Sequence, residues 1–194
     1  MQIIPAILTD KQSELIELIK QIGQSERFTR VQIDFVDGEY AANKSIRVEE
    51  CKSIRNYPEI KFDAHLMVIE KNLQSYLNNL AGFDRIIVQM ESVSHPENYN
   101  CLALDIHSPI EAIEPYLAKL KLINLMAIEP GLGGQELDLG ILDKLSYLSN
   151  LRNLGHLSFL ISVDGGIEKR HLQILKDLGV DEVAVGAKRV LEWN

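Results

Sequence analysis

Eight short apolar runs alternate with amphipathic patterns from one end of this chain to the other, and no other feature restricts its fold as much. The strand-like runs fall at residues 3–8, 30–36, 61–68, 84–90, 102–106, 122–128, 158–164 and 182–185. Between them, helical spacing of apolar residues predicts helices over 11–22, 46–56, 73–80, 109–120, 139–153 and 169–178. Pro109 suits a first helical turn, and Gly179 a helix stop. Parallel strands need helical crossovers, and eight such strands close a barrel; a doubly wound open sheet is the alternative. The expected fold is therefore α/β, a (β/α)8 barrel forming one domain over 1–194. Two places are thin. There is little room for a helix between Met90 and Leu102, and the nine residues after Val185 allow only a stub. A barrel short of helices leaves apolar strand surface to cover, which predicts a homo-oligomer.

Charge narrows the partners. A net charge of −8 argues against non-specific nucleic-acid binding and against an anionic membrane surface. It does not exclude a small anion, because backbone amides bind phosphate locally. Cys51 and Cys101 read as two reduced, buried thiols. No apolar run approaches the roughly 20 residues of a membrane span, and the cytoplasm is the default location.

Several runs end in polar chemistry. Strand parity puts Gln32 with Asp34, His65 with Met67, and Ser162 with Asp164 on shared faces. Charge on the inner face of an apolar strand is costly unless it is paired or bound to a metal. Barrel active sites lie at the C-terminal strand ends, where Asp34, Asp37, His65, Glu91, Asp105 and Asp164 all fall. Asp34, His65 and Asp164 come from three strands and can converge on one divalent ion; carboxylate and imidazole suit zinc, iron or manganese. Glycine-bearing loops follow the last three strands, at Gly133-Gly134, Gly165-Gly166 and Gly186-Ala187. Loops of this kind let backbone amides approach a phosphate. Taken singly, each of these residues has a bland reading as a turn former, a loop cap or a satisfied core group.

The motifs together resemble the ribulose-phosphate 3-epimerase family, a phosphate-binding (β/α)8 barrel, from Pro5 to about Ala187. Pro5-Ala6-Ile7-Leu8 resembles that family's Pro-Ser-Ile-Leu opening. Gln32-Ile33-Asp34-Phe35-Val36-Asp37-Gly38 resembles its His-x-Asp-x-Met-Asp-Gly. His65-Leu66-Met67, the segment Met126 to Gln135 with its Pro-Gly-x-Gly-Gly-Gln, and Val163-Asp164-Gly165-Gly166 complete the match. The resemblance implies epimerisation at C3 of a ketose phosphate. In it, Asp34 and Asp164 exchange the proton through an enediolate, and a divalent metal sits on Asp34, His65, Asp164 and the position of Gln32. It also implies Ala6, Met67 and Met126 at the sugar, and Gly133, Gly134, Gly165, Gly166, Gly186 and Ala187 at the phosphate.

The departures concern the same positions. Gln32 stands where the family has a metal-binding His, so metal binding is expected to be weak or lost. Ala6 lacks the family's Ser hydroxyl, Val36 replaces a Met, and Ala187 replaces a Ser. A catalytically degenerate barrel that binds a phosphorylated ligand or a protein is one alternative. Sugar-phosphate lyase or decarboxylase chemistry is another, although no Asp-x-Lys-x-x-Asp pattern follows the second strand.

Overall fold

A computed structural model describes residues 1–193. Its eight strands are β1 (Gln2–Ile7), β2 (Arg30–Val36), β3 (Lys61–Met67), β4 (Arg85–Gln89), β5 (Cys101–Leu104), β6 (Leu122–Met126), β7 (Leu160–Asp164) and β8 (Glu182–Gly186). Each pairs in parallel with the next, and β8 closes on β1 through Gln2↔Glu182 to Ala6↔Gly186. That closure eliminates the open sheet. The helices are α1 (Gln12–Ser25), α2 (Glu70–Leu77), α3 (Ile141–Leu154), α4 (Leu172–Asp177) and α5 (Ala187–Leu191).

Outward strand residues such as Ile33, Phe35, Leu66, Leu102, Ile123 and Val163 are fully buried beneath the helical layer. In α1, Leu15, Leu18, Ile19 and Ile22 form the buried stripe that holds the helix against the barrel. The chain leaves α1 through Glu26, whose left-handed φ of 53° and N–H bond to the Gly23 carbonyl end the turn.

Two expected helices are not α-helical. Residues 46–56 form 3-10 turns at Val48–Glu50 and Lys52–Asn56. Their buried residues Val48, Cys51 and Ile54 recur every third position, the period of a 3-10 turn and not of an α-helix. Residues 109–120 form a 3-10 segment at Ile110–Tyr116, in which Pro115 lacks the N–H an α-helix would use. The thin stretch after β4 holds two more such turns, at Met90–Ser92 and Pro96–Asn98. These compact pieces still cover the sheet: Leu102 and Leu104 of β5 and Leu125 of β6 are essentially inaccessible. The bare strand surface expected from a shortage of helix is therefore not there, and with it goes that argument for self-association. The terminal stub α5 is anchored by Arg27, whose guanidinium donates to the carbonyl of Leu191 at 3.1 Å and to that of Trp193.

Inside the barrel, the N-terminal end is filled by ions. Asp63 accepts from Arg30, and at 2.5 and 3.0 Å from the Nη2 and Nε of Arg85. The same Arg85 donates at 2.8 and 3.1 Å to both oxygens of Glu182. Two cations meet two carboxylates, and every carboxylate oxygen has a donor.

Candidate functional site

The C-terminal strand ends surround a cavity of about 350 Å³. Asp34 enters it from β2, Met67 from β3, Met126 from β6 and Asp164 from β7, with Ala6 from β1. Its remaining wall is made by the loops after β6, β7 and β8: Gly133, Gly134, Gly165, Gly166, Gly186 and Ala187 all line it. Strand parity and barrel closure thus bring every residue assigned to the metal, sugar or phosphate by the resemblance to one place, except that Gln32 and His65 lie beneath the cavity wall. Glu91, Asp105 and His107 do not line it. Glu91 accepts the Asp105 N–H at 2.8 Å, and His107 contacts Glu129 at 2.5 Å on the exposed rim.

Below the cavity, four buried side chains meet. Gln32 donates from Nε2 to Asp34 Oδ1 at 2.8 Å and to Asp164 Oδ2 at 2.7 Å. The Nδ1 of His65 lies 3.3 Å from the same Asp164 oxygen and 3.6 Å from the same Asp34 oxygen. Register explains the meeting, since Asp34 is the β2 partner of His65 and Met126 pairs with Asp164.

Burial sets the electrostatics. Desolvation pushes the Asp34 carboxyl up from its ordinary value, the His65 contact opposes this, and the Asp164 charge adds to it. Burial alone would lower His65, but its contacts with Asp164 and then Asp34 outweigh that and raise it to about 9. Metal-free, the cluster therefore favours an imidazolium between two carboxyl groups.

The donor set also suits a divalent cation. Ligands about 2.1 Å from an ion in tetrahedral array stand about 3.4 Å apart. The His65 distances of 3.3 and 3.6 Å match that edge, and the three ligand atoms all lie within 4.8 Å of one another. Gln32 departs from this pattern. Its nitrogen sits at hydrogen-bonding distance from both carboxylates, as a bridge between them.

Two glycines beside the site are held by packing. Gly165 (φ 106°) and Gly166 (φ 69°) have left-handed backbones, and a Cβ at either would come within 2.2 Å of Ile128 or of the Leu137 backbone. Gly133 and Gly186 differ: a Cβ there would meet nothing within 4 Å, so these positions leave open backbone facing the cavity.

Two residues with a bearing on the site were not singled out from the sequence, and a third was named without a role. Asp37 was named only as a strand-end acid; it ties the β2 and β3 loops by accepting from the N–H groups of Glu39, Tyr40 and Ile69 at 2.8–2.9 Å and from Asn72 at 3.0 Å. Gln89 and Asn124, both fully buried, lie on inward positions of β4 and β6. Their signal was available: each is a polar residue two places from an inward apolar one, Ile87 and Leu122.

Fold and site together define a (β/α)8 enzyme with a buried carboxylate–imidazole centre and glycine loops at its mouth. A sequence model described as the ribulose-phosphate 3 epimerase family matches residues 2–190, and the chain belongs to that family. Ribulose-phosphate 3-epimerase of Helicobacter pylori (strain J99 / ATCC 700824) is 27% identical over 200 residues, covering 96% of this chain and 89% of the relative. That of Bacillus subtilis (strain 168) is 26% identical over 198 residues, covering 96% and 91%. Among solved structures, a 3-hexulose-6-phosphate synthase superposes with a TM-score of 0.62 at 15% identity, covering 98% of this chain and 97% of that one. A mutant tryptophan synthase α-subunit from Pyrococcus furiosus superposes with a TM-score of 0.63 at 16% identity, covering 96% and 87%. These two likenesses concern the fold. Among the described residues, no helix is long and apolar enough to cross a membrane.

Proposed function

We propose that this chain is a sugar-phosphate 3-epimerase that moves the C3 proton of a ketose phosphate between Asp34 and Asp164. One observation carries the reading: both carboxylates face a single cavity whose far wall is open glycine backbone, and both touch one buried imidazole. Epimerisation requires a base on one face of the carbon and an acid on the other. Burial holds a proton on Asp34 more tightly than water would, which suits the donor role, while Asp164 abstracts; the reverse reaction exchanges the roles. Met67 and Met126, each at most 3% exposed, keep water from the carbon that loses its proton. Gly133, Gly134, Gly165, Gly166, Gly186 and Ala187 offer backbone to the phosphate. Lys188, which also lines the cavity, is paired with Glu14 and adds positive charge at that end.

Asp34, His65 and Asp164 would hold a divalent metal, which supplies positive charge where the enediolate oxygen develops. Gln32 would join them only by turning its amide so that Oε1 faces inward, which breaks both of its bonds to the carboxylates. A neutral amide oxygen is also a weaker ligand than imidazole for zinc or iron. Weak metal binding follows from both effects.

The test is metal content and D-ribulose 5-phosphate turnover on one preparation, wild type beside Gln32→His. Metal-dependent turnover by the wild type supports the reading. A wild type that is inactive with zinc, iron or manganese, beside a Gln32→His protein that is active, makes this a binding barrel whose chemistry has lapsed.

A further inference from the structure

Five buried side-chain polar atoms among the described residues have no hydrogen-bond partner: Ser53 Oγ, His65 Nε2, Asn124 Oδ1 and both amide atoms of Gln89. Four of the five belong to three residues inside the barrel, and those three are completely shielded from solvent. Their places in the fold are adjacent. Gln89 pairs in register with Ala103, Ala103 with Asn124, and Asn124 with Ser162. His65 pairs with Ile87, one inward position before Gln89 on β4. Two amides thus flank an alanine, whose side chain is a single methyl group. None of the three residues lines the mouth cavity.

Interior polar groups of folded proteins are almost always paired, by protein or by ordered water. A buried water needs two to four polar partners, and this layer offers four atoms in neighbouring side chains. A histidine that binds metal through one ring nitrogen also needs an acceptor for the other, which fixes its tautomer. The Nδ1 of His65 faces Asp34 and Asp164; its Nε2 has no protein acceptor.

We infer that Gln89 and Asn124 hold ordered water beneath the reaction centre, and that Gln89, through this water, is a positioning residue for His65. The bonds run from His65 Nε2–H to water and from water to Gln89 Oε1, while Gln89 Nε2 and Asn124 Oδ1 take the remaining water bonds. Asn124 connects the layer upward, since its Nδ2 stands 3.5 Å from Asp164 Oδ2. The hydration site stands independently of the proposed epimerase reaction; only the consequence for metal binding rests on it.

High-resolution diffraction from crystals of the whole chain is the direct test, with density expected within hydrogen-bonding distance of Gln89 and Asn124. A dry layer overturns the inference. The variant test is Gln89→Met, which keeps the side-chain length and removes the amide. If water satisfies the amide, the variant melts lower, the Nε2 NMR signal of His65 shifts as its hydrogen bond is lost, and Mn²⁺ affinity falls by about 10–100-fold. If the amide is dry, the variant melts higher, because two unpaired buried groups have been removed, and the His65 signals stay as they were. Ala103→Ser gives a second reading, because its hydroxyl can take the place of a water; retention of the wild-type His65 Nε2 signal is expected, and its loss counts against the inference. Turnover enters none of the three structural readouts, so failure of the epimerase reading and failure of this one are separable.

Discussion

The barrel holds two buried clusters of charge, and they are built on opposite terms. At the N-terminal end, Arg30 and Arg85 meet Asp63 and Glu182, cation for anion, with every carboxylate oxygen engaged. At the C-terminal end, two carboxylates share one imidazole and a neutral amide, so charge balance depends on protonation or on a bound cation. The first arrangement is complete in itself and serves the fold. The second raises Asp34 by burial and His65 by its contacts with both carboxylates; burial raises Asp63 as well, so what separates the two clusters is the charge count, matched at one end and unmatched at the other.

The largest effect that would test this contrast is on catalysis. Asp34→Asn or Asp164→Asn should cut turnover of D-ribulose 5-phosphate by about 10²–10⁴-fold, the usual contribution of a positioned acid or base. Thermal melting of either variant should change little, since relief of the repulsion between the two carboxylates offsets the weakened contact with the His65 imidazole. A large drop in melting temperature would make the mouth a structural cluster after all. Next comes the other end. Asp63→Ala leaves two arginines without their shared partner and should cost about 3–5 kcal/mol in chemical denaturation. A loss below 1 kcal/mol would erase the distinction between the clusters.

The pH dependence follows. Folding raises His65 from 6.5 to about 9, so the stability added by its protonation is complete below pH 6.5 and is lost as pH rises through 9. Denaturation of metal-free protein should show that decline across this window, bounded by about 3 kcal/mol. Asp34, also raised by its burial, acts in the same direction. Arg85 is held protonated by Asp63 and Glu182 once its burial is offset, so it should contribute nothing over the same range. A flat profile between pH 6.5 and 9 would remove the imidazolium from the mouth. The smallest shift should come from Gln32→His, which replaces the bridging amide with an imidazole. Zinc affinity, measured by competition with a chelating dye, should tighten by at least about tenfold, or about 1.4 kcal/mol. Unchanged affinity would mean that Gln32 is no obstacle to the metal.

Much of the candidate site was legible because barrel strands obey simple rules. Parity alone set Gln32 with Asp34 and Ser162 with Asp164, and eight alternations required closure. The two lost α-helices were misread for a local reason: Val48, Cys51 and Ile54 fit a three-residue period as well as a helical stripe, and Pro115 enters late in its segment. Gln89 and Asn124 escaped notice because a lone amide in an apolar strand carries no motif. Their meaning comes from register with Ala103, which pairs residues far apart in the chain.

By itself the sequence determined the order of the strands, the family, and the inward face shared by Gln32 and Asp34, by His65 and Met67, and by Ser162 and Asp164, because periodicity and strand-end motifs are local properties of the chain. Only the tertiary structure decided how those side chains meet. Distances between strands depend on barrel tilt and register, and these made Gln32 a bridge between two aspartates, matched Asp63 to two arginines, and set His65 against a layer of amides. The physical reason is that hydrogen bonds and charge interactions depend on ångström-scale separations across strands, and neighbours along the chain do not set those.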